Sequence, residues 1–169
     1  RLSESKALHQ VTLAILQKLE LDEVLQIICD EDQRMTYSSG SAIALIESED
    51  RRRVMYCAGE TPEKPGRVAI GQSNLGLAVS RTEPLVINNV FRGREGESEQ
   101  GAPVSMLALP LRVQGNSIGI LAVFKAKVFE QDDIRLMRVF AGQAAMAVDH
   151  AQLTRQVHEM AILEERQRL

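Results

Sequence analysis

Only two cysteines occur in the 169 residues, Cys29 and Cys57. Two thiols are too few for a disulfide scaffold, and neither has a paired metal-ligand spacing. A reducing, cytoplasmic setting is therefore expected. Charge of one sign is also lacking: 20 Lys and Arg stand against 23 Asp and Glu, a net charge of −3 with no basic stripe. That argues against nucleic acid as a partner. Long apolar runs are missing. The longest are strand-sized, such as residues 105–111, far below the roughly 18–20 residues that cross a bilayer. No membrane contact is expected from this stretch of chain. There is no apolar segment after a basic start, as a secretory signal would need, and the first residue is Arg1 rather than Met. The chain is therefore expected to be a piece of a longer protein.

What is present fits one soluble domain. The composition is 44% hydrophobic and 25% charged, and a chain of this length buries close to 70% of its unfolded surface without staples. Leu8, Val11, Ile15 and Leu19 recur at helical spacing, with Lys6, Gln10, Gln17 and Lys18 on the other face. A second helix is expected to start near Asp22, capped by that side chain, and to end at Ser38, Ser39 and Gly40. Residues 42–46 and 53–57 alternate as strands around an acidic turn at 47–50. A short strand at 67–70, a short helix at 74–81 and a returning strand at 84–88 follow. Residues 90–103 carry Gly93, Gly96 and Gly101 among charges, with few apolar anchors, and are expected to form a mobile loop.

The clearest strands are residues 104–113 and 117–124, joined by Gln114-Gly115-Asn116. From Gln131 the helical period returns and continues to the end of the chain. Such a helix would be about 55 Å long, more than one domain can cover. Helices at both ends around five or six antiparallel strands give an α+β domain, with the N- and C-terminal helices on one face of the sheet.

Four stretches, in this order, resemble the GAF domain, the small-molecule sensing module of signalling proteins with a PAS-like sheet. They are Leu21-Asp22-Glu23-Val24-Leu25 through residues 41–45, and Ile70-Gly71-Gln72-Ser73-Asn74-Leu75-Gly76-Leu77-Ala78 with Pro84-Leu85-Val86-Ile87. The third is Ser105-Met106-Leu107-Ala108-Leu109-Pro110-Leu111 with Ile118-Gly119-Ile120-Leu121. The fourth is Phe129-Glu130-Gln131-Asp132-Asp133 with Gln143-Ala144-Ala145-Met146-Ala147-Val148. The charged end Glu164-Glu165-Arg166-Gln167-Arg168-Leu169 is similar to the segment preceding the phospho-accepting histidine of sensor histidine kinases. The two resemblances together imply a sensor domain over residues 1–153. They also imply an outgoing signalling helix over 154–169, leading to a kinase-type region of a two-component protein.

The family layout implies a ligand site lined by Tyr56, Cys57, Asn74, Leu75, Asn88, Phe91, Ser105 and Leu107. It does not name the ligand, and no cofactor is assigned. His9, His150 and His158 all fall on the terminal helices, away from the haem position that some family members use. No Cys-His pair is present for a bilin. Phe124-Lys125 stands where the cyclic-nucleotide signature has Asn-Lys, and residues 90–103 lack the cysteines of the family's methionine sulfoxide reductases. No phosphate loop, triad spacing or paired-carboxylate cluster appears, so the chain is expected to be non-catalytic. Leu153, Val157 and Met160 continue an apolar seam past the domain. Together with the first helix they imply a homodimer through a four-helix bundle. The alternatives are a ligand-free dimer spacer or a redox enzyme of the same family.

Overall fold

In the computed structural model, which describes residues 2–17, 19–48, 51–59, 66–69, 78, 81–90 and 104–168, two helices lead into the sheet. They are α1 (Leu2–Leu16) and α2 (Leu21–Thr36). Leu21, Val24, Leu25, Ile28, Cys29 and Met35 form the buried face of α2. The residue at its N-cap is Glu20, and no side chain caps the helix there. Asp22 lies within the first turn, where its charge suits the helix dipole. At the other end Tyr37 takes the left-handed conformation (φ 53°) and its N–H bonds the Gln33 carbonyl. The helix thus stops one residue before the serines expected to end it.

Six strands follow: β1 (Gly40–Ser48), β2 (Arg51–Gly59), β3 (Gly66–Ala69), β4 (Leu85–Val90), β5 (Val104–Val113) and β6 (Asn116–Lys125). They form one antiparallel sheet in the order β3-β2-β1-β6-β5-β4. The β5–β6 turn is Gln114-Gly115, both at positive φ (50° and 82°), which is what a two-residue hairpin requires. Asn116 already belongs to β6. The last helix, α3 (Gln131–Arg168), is unbroken over 38 residues. No described helix is long and apolar enough to cross a membrane.

Strand alternation divides the core in two. Ile43, Leu45, Leu107, Leu109, Leu111, Leu121 and Val123 join the buried faces of all three helices. α1, α2 and α3 therefore share one side of the sheet, as the sequence predicts for the terminal helices. Ala42, Ala44, Met106, Ala108, Ile120, Ala122 and Phe124 make a smaller cluster on the other side. β3 and β4 are consecutive along the chain yet lie at opposite edges. Ala78, between them, is buried in that second cluster.

On α1, Ala7 and Val11 are fully buried within the helix-side core, and Leu8 packs against it. Leu8 and Val11 of the first helix's stripe therefore pack within their own domain. α3 does the same only as far as Ala151. Leu153, Val157, Met160 and Leu163 are all more than half exposed.

Gly119 explains why β1 and β6 approach closely. A Cβ there would lie 2.4 Å from the Ala44 carbonyl oxygen and 2.9 Å from Leu45 Cδ2. Both strands are internal to the sheet, so neither can shift outward. Gly119→Ala should cost about 1–3 kcal/mol of stability, measured by urea unfolding, and a cost near zero would contradict this close fit.

Candidate functional site

On the side of the sheet away from the helices, three alanines stand directly opposite one another. Ala42 faces Ala122, which faces Ala108, and Leu85 of β4 closes the row. The neighbouring row holds Phe124, Met106 and Ile87, and Ile120 stands on the other side between Ala44 and Pro110. Three methyl groups between large side chains form a recessed floor. Ala42, Ala108 and Ala122 are at most 1% exposed, so the row is covered by other parts of the fold. It offers apolar contact and no charge.

The residues expected to line a site are distributed unevenly around this floor. Cys57 pairs with Ala42, at the register position that extends the alanine row into β2, whereas Tyr56 pairs with Ile43. Asn88 is exposed on β4. Ser105 and Leu107 are buried, but alternation along β5 puts them with Leu109 on the helix side. They are thus separated from the floor by the thickness of the sheet. Asn74, Leu75 and Phe91 lie outside the described residues, as do residues 91–103 of the expected mobile loop. The alanine row was missed in the sequence, although the alternation of Met106 and Ala108 with Leu107 and Leu109 carries the signal.

A polar cluster lies on the helix side. Ser41 Oγ donates to Asp32 Oδ2 at 2.6 Å, and Thr36 Oγ1 donates to the Asp32 carbonyl at 2.7 Å. Among the described residues, Asp32 Oδ1 and Ser105 Oγ have no hydrogen-bond partner. Burial pushes the Asp32 carboxyl well above the usual carboxylate range, and the Ser41 hydrogen bond only partly opposes this. Nearby, Lys125 Nζ meets Asp133 Oδ2 at 3.0 Å and lies 4.5 Å from the centre of the Phe129 ring. Asp133 Oδ2 also accepts the Glu130 N–H at 3.0 Å, so one carboxylate ties the start of α3 to Lys125 at the end of β6. Among the described residues, no group of His, Cys, Asp and Glu could hold a metal ion.

A second concavity, an open cleft of about 270 Å³, lies between α3 and the β4–β5 edge. Glu83, Pro84, Pro110, Arg112 and Gly142 are among its walls. Arg138 Nη2 bridges it to Glu83 Oε2 at 2.7 Å, with both side chains more than half exposed.

Several solved structures share this architecture. The GAF domain of a phosphoenolpyruvate-protein phosphotransferase from Coxiella burnetii is 19% identical, with a TM-score of 0.70 over 90% of this chain and 96% of that one. The GAF-B domain of DevS from Mycobacterium smegmatis is 20% identical, with a TM-score of 0.66 over 82% of this chain and 99% of that one. A free methionine-R-sulfoxide reductase from Neisseria meningitidis, solved with its substrate, is 14% identical, with a TM-score of 0.68 over 89% and 91%. At these identities the likeness concerns the fold. The GAF domain family model matches residues 18–149, which span α2, the whole sheet and the first half of α3. This chain belongs to the GAF domain family.

Proposed function

We propose that the chain is the cytoplasmic sensing and dimerisation module of a two-component signalling protein, a sensor histidine kinase, and is itself non-catalytic. GAF domains are regulatory modules that sense small molecules in signalling proteins. Here the ligand is a small molecule with an apolar face, seated on Ala42, Ala122 and Ala108. Cys57, Asn74, Leu75, Asn88 and Phe91 supply the remaining lining. Ser105 and Leu107 leave the proposed set because they face the helices, and Tyr56 leaves it because its register position is opposite Ile43.

The observation that carries the reading is the recessed alanine row, since an apolar floor ringed by larger side chains is the usual form of a small-molecule site. Residues 1–153 make up the sensor, and 154–169 are the outgoing helix. α3 runs without a break from beneath the sheet into its exposed end, so a ligand that favours one packing of the sheet also biases the position of that end.

A native mass spectrum of freshly purified protein tests the ligand. An added mass on the unmodified chain, lost in a folded Ala122→Leu variant, is expected. Bare masses for both would favour the ligand-free spacer instead. Pairing is tested separately: Val157→Glu and Met160→Glu should weaken the dimer in sedimentation while leaving the circular dichroism of the sheet unchanged.

A further inference from the structure

We infer that the cleft between α3 and the β4–β5 edge is a second binding site, for a small monocarboxylate with a compact apolar body. It lies on the helix side of the sheet, apart from the alanine row, and does not depend on the function proposed above. Its floor is apolar: Leu109 and Ala141 are nearly fully buried there, beside Pro84 and Pro110. The volume of about 270 Å³ has room for an aromatic ring and a carboxylate, since a cavity of about 150 Å³ takes benzene. Gly142 keeps one wall low. It stands inside an unbroken helix, where glycine is among the least favourable residues. Packing within the domain does not require it: among the described residues, nothing lies within 4 Å of where its Cβ would stand. The missing side chain instead leaves the backbone of α3 open to a molecule in the cleft.

Charge selects the class of ligand. Arg112 on β5 and Arg138 on α3 both line the cleft, against a single carboxylate, Glu83. Those walls sum to one positive charge, which a monoanion balances and a phosphate dianion would exceed. Arg112 Nη2 donates to the Gly115 carbonyl, and Arg138 Nη2 donates to Glu83 Oε2. Each of these bonds occupies one donor of a planar five-donor fork, so both guanidinium groups keep donors for a carboxylate. The Arg138–Glu83 pair is more than half exposed on both sides. Such pairs hold weakly, so a ligand carboxylate takes Glu83's place at little cost. A molecule held by both arginines ties β5 to α3. It thereby fixes how the helix packs on the sheet edge, ahead of the exposed end that runs to Arg168.

Benzoate is the probe, and benzamide, an uncharged molecule of nearly the same shape, is the control. Titrated into the whole chain and followed by amide NMR, benzoate should shift Thr82, Glu83 and Gly142 saturably, and benzamide should bind about tenfold more weakly. Arg112→Gln and Arg138→Gln should each weaken benzoate about tenfold, the loss of a charged hydrogen bond. Glu83→Gln should tighten it about two- to threefold, because the competing carboxylate is gone, whereas a purely structural ion pair gives no gain. Gly142→Leu should abolish binding and still fold, since leucine favours a helix more than glycine does. No saturable shift at tens of millimolar benzoate, or equal binding of benzamide, would overturn the site. Shifts confined to Ala42, Ala108 and Ala122 would also overturn it and leave the proposed sensing function standing.

Discussion

Phe140→Ala is expected to destabilise the fold by about 3–5 kcal/mol, enough to unfold much of the population of a marginally stable domain. Phe140 is fully buried on α3 among Leu107, Leu109 and the helix-side face of the sheet. Its ring is one of the two largest side chains held wholly within the core. The neighbouring buried positions on α3, Ala141 and Ala144, are small and cannot move in to fill the space. The cavity would therefore persist, and its cost adds to the lost transfer energy. Val157→Ala, on the exposed end of the same helix, should change the stability of the isolated domain by less than about 0.5 kcal/mol. Urea unfolding at a concentration below that needed for pairing compares the two. Similar losses for both would mean that α3 is stabilised along its whole length rather than by its contact with the sheet.

That division of α3 was legible in the sequence because alanines and large apolar residues share one face up to Ala151, and only an outward stripe continues beyond it. The β5–β6 hairpin was legible for a local reason as well: Gly115 permits the positive φ of a two-residue turn, and strict alternation fixes the register. Other features depend on distant contacts. Alternation assigns Leu107 and Ala108 to opposite faces, but which face meets the helices is decided by packing. That is why Ser105 and Leu107 fell on the wrong side of the expected site. The stripe Leu8, Val11, Ile15, Leu19 suits a dimer seam and an internal core equally well, and only the burial of Ala7 and Val11 shows that this part of α1 serves the core. The pairing of Asp32 with Ser41 has no sequence signature, since it needs a helix end and the strand after it to fold back together.

That buried pair carries the second large expectation. Asp32→Asn should be more stable than the unmodified chain at neutral pH, by an amount that shrinks on acidification and vanishes near the ordinary carboxylate pKa of about 3.9. In the unfolded chain Asp32 releases its proton near that value. In the folded chain burial raises the value well above it. Between the two values the folded state holds a proton that the unfolded state has lost, so stability falls as pH rises, by up to about 1.4 kcal/mol per pH unit. Below both values there is no dependence, and above both the penalty is constant because both states are ionised. Asparagine is neutral throughout and still accepts the Ser41 hydrogen bond, so it keeps the tie between α2 and β1 without the cost of a buried charge. Ser41→Ala should act in the opposite sense at neutral pH. It removes the larger of the two hydrogen bonds that favour the ionised form, the other coming from the Gln33 backbone, and should cost about 1–3 kcal/mol. Unfolding free energies of the three proteins at several values between pH 3 and 8 test this. If the Asp32→Asn difference is the same at every pH, the carboxyl does not change protonation between the folded and unfolded chain, and the proposed cost of burying it is absent.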